Sequence, residues 1–150
     1  MIAIRRATDA DRVAIARVHE ASIRGLGRTH YSPEQVESWA AHIHPENYPI
    51  EHDIFVAVDG DEVLGFGHYH NGEIAAVYVD PSHTGRGIGR LLMAKLEECG
   101  RNEGAERLFL NASLNAERFY AACGYERTRE ALYRTRGGVV IRCALMEKKP

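Results

Sequence analysis

The segment from Val77 to Leu92 constrains the fold more than any other part of the chain. An alternating apolar run, Val77-Tyr78-Val79, is followed by a turn at Asp80-Pro81, glycines at 85, 87 and 89, and an unbroken helical pattern. A strand that passes through a glycine-rich loop onto a helix is an anion cradle. Its glycines admit a ligand close to the backbone, and the helix start presents unpaired N–H groups and the positive end of its dipole. A phosphorylated cofactor is the expected occupant. Two familiar phosphate loops are excluded by the neighbouring residues. A Walker A loop needs Lys and then Ser or Thr after its last glycine, where this chain has Arg90 and Leu91. A dinucleotide fingerprint counted from Gly85 or Gly87 meets Arg90 or Leu92 in its third glycine position.

A second segment, Leu108 to Tyr125, reads as a strand, a helix begun by Asn115 and carrying Phe119 and Tyr120, and Gly124 closing that helix before another strand. Together with Thr84-Gly85-Arg86-Gly87-Ile88-Gly89 it resembles the GCN5-related N-acetyltransferases. Their central signature is Gln/Arg-x-x-Gly-x-Gly/Ala, and Thr84 stands at the Gln/Arg position. The later segment matches the family's Asn, Ala, Phe-Tyr and Gly-Tyr pattern in kind, with the alanine one place early. The stretch from Tyr31 to Trp39 and the ending Met146-Glu147-Lys148 look like a subgroup of small bacterial acetyltransferases. The resemblance implies a mixed α/β (α+β) fold: a seven-stranded, mostly antiparallel sheet splayed between its fourth and fifth strands and flanked by four helices.

Residue patterns alone place the elements. Ile2 to Arg5 reads as a strand. A helix capped at Thr8 or Asp9 has apolar positions Val13, Ile15, Ala16, Val18 and Ile23 and ends at Gly25 and Gly27. Ser32, Pro33 and Gln35 form a capping box for a second helix. Strands at 54–58, 63–70 and 73–79 are joined through Asp59-Gly60 and Asn71-Gly72 turns. The helix after the glycine loop, from about Gly87 to Asn102, has Ile88, Leu91, Leu92, Ala94, Leu96 and Cys99 as its apolar face. Strands from 108 to 112, 125 to 134 and 139 to 146 complete the chain, the last two a hairpin through Gly137-Gly138. A length of 150 residues suits one domain, 1–150. The net charge of −2 and the absence of a Lys/Arg run leave no nucleic-acid or membrane footprint, and no apolar run reaches the roughly 20 residues of a membrane span. Cys99, Cys123 and Cys143 form no C-x-x-C pair, which argues against a disulfide framework or zinc knuckle. A cytoplasmic location is expected.

The implied reaction is transfer of an acetyl group from acetyl-CoA to a primary amine of a small molecule or peptide. The resemblance implies that Val77, Tyr78, Val79, the loop Thr84, Gly85, Arg86, Gly87, Ile88, Gly89 and Arg90, and Asn111, Asn115, Phe119 and Tyr120 hold the cofactor. Val77 and Val79 would pair with its pantetheine arm through the backbone. An amine with a pKa of about 10.4 must lose a proton before it attacks, and the departing thiolate must gain one. Glu73 stands where the histone-modifying branch of the family has its catalytic glutamate; His68, His70 or water are the rival bases. Tyr120 is the expected general acid, because a phenol of pKa about 10 stays protonated at neutral pH. Asn115 caps its helix, binds the pantetheine arm, or does both. Tyr31, Trp39, His42, His44, Tyr133 and Arg134 are acceptor-site candidates, Trp39 being also a natural core residue. No metal is expected, since His68 and His70 have no acidic third ligand at a convincing spacing. Dimers are common in that family, and a homodimer is the expected assembly. The rival reading is a non-catalytic acyl-CoA-binding module.

Overall fold

In the computed structural model, which describes residues 1–150, the strands β1 (Ile2–Arg6), β2 (Asp53–Asp59), β3 (Glu62–His70), β4 (Glu73–Val79), β5 (Leu108–Ser113), β6 (Glu126–Arg134) and β7 (Val140–Lys148) form one sheet in the order β1-β2-β3-β4-β5-β7-β6. All neighbours run antiparallel except β4 and β5. That parallel pair is joined at a single position, Glu73 opposite Phe109, after which the strands part. The helices are α1 (Arg12–Leu26), α2 (Pro33–Ala40), α3 (Ile88–Glu103) and α4 (Glu117–Ala122). No helix is long and apolar enough to cross a membrane. The seven-stranded, splayed sheet with four helices bears out the expected fold.

Each face of the sheet has its own core. The α3 face gathers Phe55, Leu64, Tyr69, Leu92, Leu96, Leu108, Leu110 and Met146, so this helix spans the gap and packs on both halves. The α1 face gathers Ile15, Val18, Ile54, Val56 and Phe66, and α2 adds Val36 and Trp39 around Tyr31 and Ile141. Glu97 fastens α3 to the far half: it accepts from Tyr125 Oη at 2.8 Å and from Lys148 Nζ at 3.1 Å, and Lys148 also donates to the Cys123 carbonyl at 2.7 Å.

Several local readings need correction. Val13 is 71% exposed, on the solvent side of α1. Gly25 does not end that helix, which runs on to Leu26; an added Cβ would lie 2.7 Å from Pro81 Cγ, so this glycine lets the helix approach the turn before the glycine loop. Asp80 ties the same turn down by accepting from Ser82 N–H at 2.9 Å and from Arg17 at 3.2 Å. On α3, Leu91 and Ala94 are exposed, because a helix lying on a sheet buries the i, i+4 stripe of Ile88, Leu92, Leu96 and Gly100, with Met93 beside it, and turns the opposite face outward. Asn115 does not cap α4; Ala116 stands at that position.

Candidate active site

One cavity of about 810 Å³ runs from the glycine loop through the β4–β5 gap to a chamber bounded by α1, α2 and the β6–β7 turn. At its first end, backbone conformation builds the cradle. Gly85 and Gly87 have φ of +81° and +79°, a region that costs other residues about 1–2 kcal/mol, and a Cβ on either would meet nothing within 4 Å. These two are glycines for their conformation. Gly89 is one for packing, since its Cβ would fall 2.8 Å from Phe119 Cζ. The first helical hydrogen bond runs from Leu91 N–H to Gly87 O at 3.1 Å, and the N–H groups from Thr84 through Arg90 donate to no protein acceptor. Thr84 Oγ1 donates to the Pro81 carbonyl at 3.4 Å. Arg90 lines the cavity. Arg86 does not: its guanidinium is drawn to Asp59, at 3.7 Å, and to His83 Nδ1, at 3.0 Å, so its side chain is no part of the cradle.

In the gap, β4 offers an unpaired edge. Asp80 N–H donates to Leu64 O of β3 at 2.8 Å, and strand alternation puts Tyr78 on that same side, leaving the main-chain groups of Val77 and Val79 aimed at the gap. Across it stand Asn111, Asn115, Phe119 and Tyr120. The Asn115 carbonyl oxygen is buried with no hydrogen-bond partner, the only such side-chain atom in the protein. A buried acceptor without a donor costs about 1–3 kcal/mol, and this one belongs to a residue on the wall of a ligand-sized cavity. The hydroxyls of Tyr31, Tyr48, Tyr69 and Tyr125 are engaged by protein groups, whereas those of Tyr120 and Tyr133, both on the cavity wall, make no hydrogen bond. Burial, with smaller contributions from Tyr78 and Cys123, pushes the Tyr120 phenol up, so it stays protonated.

Glu73 lines the cavity at the apex of the gap, where β4 meets β5, and has no cationic partner. His68 also lines it. Burial, then the neighbouring His52 and His70, pull its pKa down to about 4, so it is neutral at pH 7. Its Nε2 lies 3.1 Å from His52 Nδ1. His68 and His70 face one side of β3, as strand alternation predicts, because the extra residue of the bulge beside them is Ala75 of β4; both meet His52, and His70 is stacked on it at 3.7 Å outside the cavity. Of the two, only His68 lines the cavity; His70 lies exposed at the end of the strand.

In the chamber, Trp39, His42, His44 and Tyr133 are present, but Tyr31 and Arg134 are not. Tyr31 is a structural tie, its hydroxyl donating to Arg142 O at 2.6 Å and accepting from Leu114 N–H at 2.8 Å. Arg134 donates to Gly138 O at 3.0 Å. Three further residues had no signal in the sequence: His19, Tyr48 and Arg136. His19 Nδ1 lies 2.9 Å from Tyr48 Oη and its ring packs 4.4 Å from Tyr78; burial, aided by the Arg136 charge, lowers its pKa to about 3.

Comparison with known proteins agrees with this geometry. A GCN5-related N-acetyltransferase from Rhodopseudomonas palustris superposes with a TM-score of 0.92 at 28% identity, covering 99% of this chain and 95% of that one. The PaiA N-acetyltransferase of Thermoplasma acidophilum, solved in complex with coenzyme A, shares the fold at a TM-score of 0.74 and 22% identity, over 100% of this chain and 99% of that one. YncA of Salmonella typhimurium, solved with acetyl-CoA, does so at 0.73 and 20% identity, over 99% and 93%. The N-acetyltransferase YafP of Escherichia coli K12 is 26% identical over 111 residues, 72% of this chain and 70% of that protein. The sequence profile of the acetyltransferase (GNAT) family matches residues 23–125, across the gap, the glycine loop and α4, and the chain belongs to that family.

Proposed function

We propose that residues 1–150 act as one acetyl-CoA-dependent N-acetyltransferase domain that acetylates a primary amine of a small molecule or peptide by direct attack with both substrates bound. The observation that carries this reading is the unpartnered set facing one cavity: the N–H groups from Thr84 to Arg90, the β4 edge at Val77 and Val79, the orphaned Asn115 oxygen and the free Tyr120 hydroxyl. These are the groups a pyrophosphate followed by an amide-bearing arm and a thioester needs. Acetyl-CoA supplies an activated acyl group as a thioester.

The loop amides and Arg90 hold the pyrophosphate, Asn115 and the β4 edge orient the arm, and a main-chain N–H near Val79 polarises the acyl carbonyl. Glu73, directly or through water, takes the proton that frees the amine lone pair. A C–N bond forms and a C–S bond breaks. Tyr120 protonates the departing sulfur, and of the two protons that the ammonium gives up, one ends on sulfur and one in solvent.

A melt titration tests the cofactor: acetyl-CoA at a hundred times its Kd adds about 2.7 kcal/mol to stability, while ATP and NAD serve as controls. No shift with acetyl-CoA, or an equal shift with ATP, overturns the reading. For the base, Glu73→Gln should remove the ionisation that governs the rate from its pH profile; an unaltered profile moves that role to His68 or water.

A further inference from the structure

The acceptor chamber is unusual in its charge. Glu73 is the only carboxylate on the whole cavity wall, and Arg90 and Arg136 are the only arginines, with no lysine. Arg90 belongs to the glycine loop. Arg136 stands at the other end, on the turn between β6 and β7, and no carboxylate lies within ion-pair distance of it; its hydrogen bond is to the Trp39 carbonyl at 3.3 Å. Elsewhere the fold pairs its arginines readily, as in Arg5 with Asp11, Arg6 with Asp53 and Arg17 with Asp80.

The turn that carries Arg136 is fixed to the end of α2. The buried hydroxyls of Ser38 and Thr135 lie 2.6 Å apart, Ser38 Oγ accepts from Val139 N–H at 3.0 Å, and Ser38 O accepts from Gly137 N–H at 2.9 Å. A Cβ on Gly137 would fall 2.8 Å from Ser38 Cα, so the turn is held at the closest approach a backbone allows. This is a pre-positioned cation at the rim of a chamber walled by Ile23, Trp39, Ile43, Phe66 and Ile141, with Asn47 and the imidazoles of His19, His42 and His44 among them. Burial holds the His19 imidazole down and the Tyr48 and Tyr78 phenols up, and the Arg136 charge reaches inward to all three, adding to the first shift and opposing the other two.

Resting on the acetyltransferase reading above, we propose that the acceptor is an amine that also bears a carboxylate, an amino acid or close analogue with an apolar or aromatic side group, and that Arg136 receives the carboxylate. A guanidinium offers a carboxylate two parallel N–H donors and fixes the angle at which the amine faces the gap. A polyamine or basic peptide, in contrast, would bring further cations to a chamber whose one carboxylate is already assigned to the reacting amine. A single arginine with no lysine, second arginine or helix N-terminus beside it suits a monoanion better than a phosphate.

The test compares release of free thiol from acetyl-CoA with phenylalanine, leucine, their decarboxylated amines, the aminophosphonate analogue of phenylalanine, and spermidine. The expected result is a kcat/KM at least tenfold higher for the amino acids than for their decarboxylated amines, expressed mainly in KM. Arg136→Gln should collapse that ratio, Arg136→Lys should restore part of it, and both variants should keep the melt shift with acetyl-CoA, which shows that they fold. A wild-type preference for spermidine, for the decarboxylated amines or for the aminophosphonate overturns the proposal, as does a ratio that survives Arg136→Gln. Acetyl-CoA binding without thiol release from any amino acid also overturns it while leaving the cofactor reading intact. Absence of the acetyl-CoA melt shift in the wild-type protein defeats the acetyltransferase reading itself.

Discussion

Replacing Asn115 with leucine, which is close to it in shape, should move stability and ligand affinity in opposite directions. The Asn115 oxygen is buried with no partner, and its side chain makes no hydrogen bond within the protein. An unsatisfied buried acceptor costs about 1–3 kcal/mol, and a trapped water recovers part of that, so Asn115→Leu should stabilise the ligand-free protein by about 1 kcal/mol. For a chain of this length that is a rise of roughly 2–4 °C in melting temperature. If the side chain serves the pantetheine arm, the variant also forfeits a hydrogen bond worth about 0.5–1.5 kcal/mol, a roughly two- to tenfold weaker Kd for coenzyme A. Differential scanning fluorimetry of the free protein, followed by calorimetric titration with coenzyme A, reads both quantities. A lower melting temperature would refute the inference that the oxygen is orphaned at a cost. A higher melting temperature with unchanged affinity would show that the position does not touch the ligand.

Tyr120→Phe should lower kcat by about a hundredfold or more while leaving coenzyme A affinity within about twofold, since it removes only a proton donor; unchanged turnover under single-turnover conditions would remove Tyr120 from that role. His19 is buried and its pKa falls from 6.5 to about 3, so its contribution to stability is complete above pH 6.5 and drains as the pH falls toward 3. The unfolded chain binds the proton that the folded one refuses, which costs about 2 kcal/mol between pH 6.5 and 5. Urea melts at the two pH values should show His19→Gln losing less than wild type over that interval, and a parallel loss would contradict the assignment. Tyr31→Phe deletes a hydroxyl that bridges the Leu114 N–H and the Arg142 carbonyl, and should destabilise by about 1–3 kcal/mol in chemical denaturation; a change below about 0.5 kcal/mol would show that water replaces it.

Local physics explains which parts of the site were readable from sequence. The glycine loop and the Phe119-Tyr120 helix are written in contiguous residues whose backbone demands are visible one position at a time, and both lie on the cavity. His19, Tyr48 and Arg136 come from a helix, a loop and a turn, each ordinary where it stands, and packing alone brings them together. The motif position of Arg86 shows its backbone in the loop but not where its side chain goes, because Asp59, to which the guanidinium is drawn, lies on β2. His70 lies on the side of β3 that alternation predicts but at its exposed end, beyond the cavity, and a strand's alternation does not say where a cavity stops. The cap assigned to Asn115 failed because α4 starts only at Glu117, which frees the amide for the gap.

The single bridge between Glu73 and Phe109 makes the sheet two sheets in mechanical terms, one of β1 to β4 and one of β5 to β7, with α3 as the strap across the back. Hydrogen exchange should therefore find two separately opening units in the free protein. A ligand threaded between Val77, Val79 and the opposite wall would act as the missing rung of a ladder. Its arrival would fuse the halves into one cooperative body, and its departure as product would loosen the frame that had gripped it.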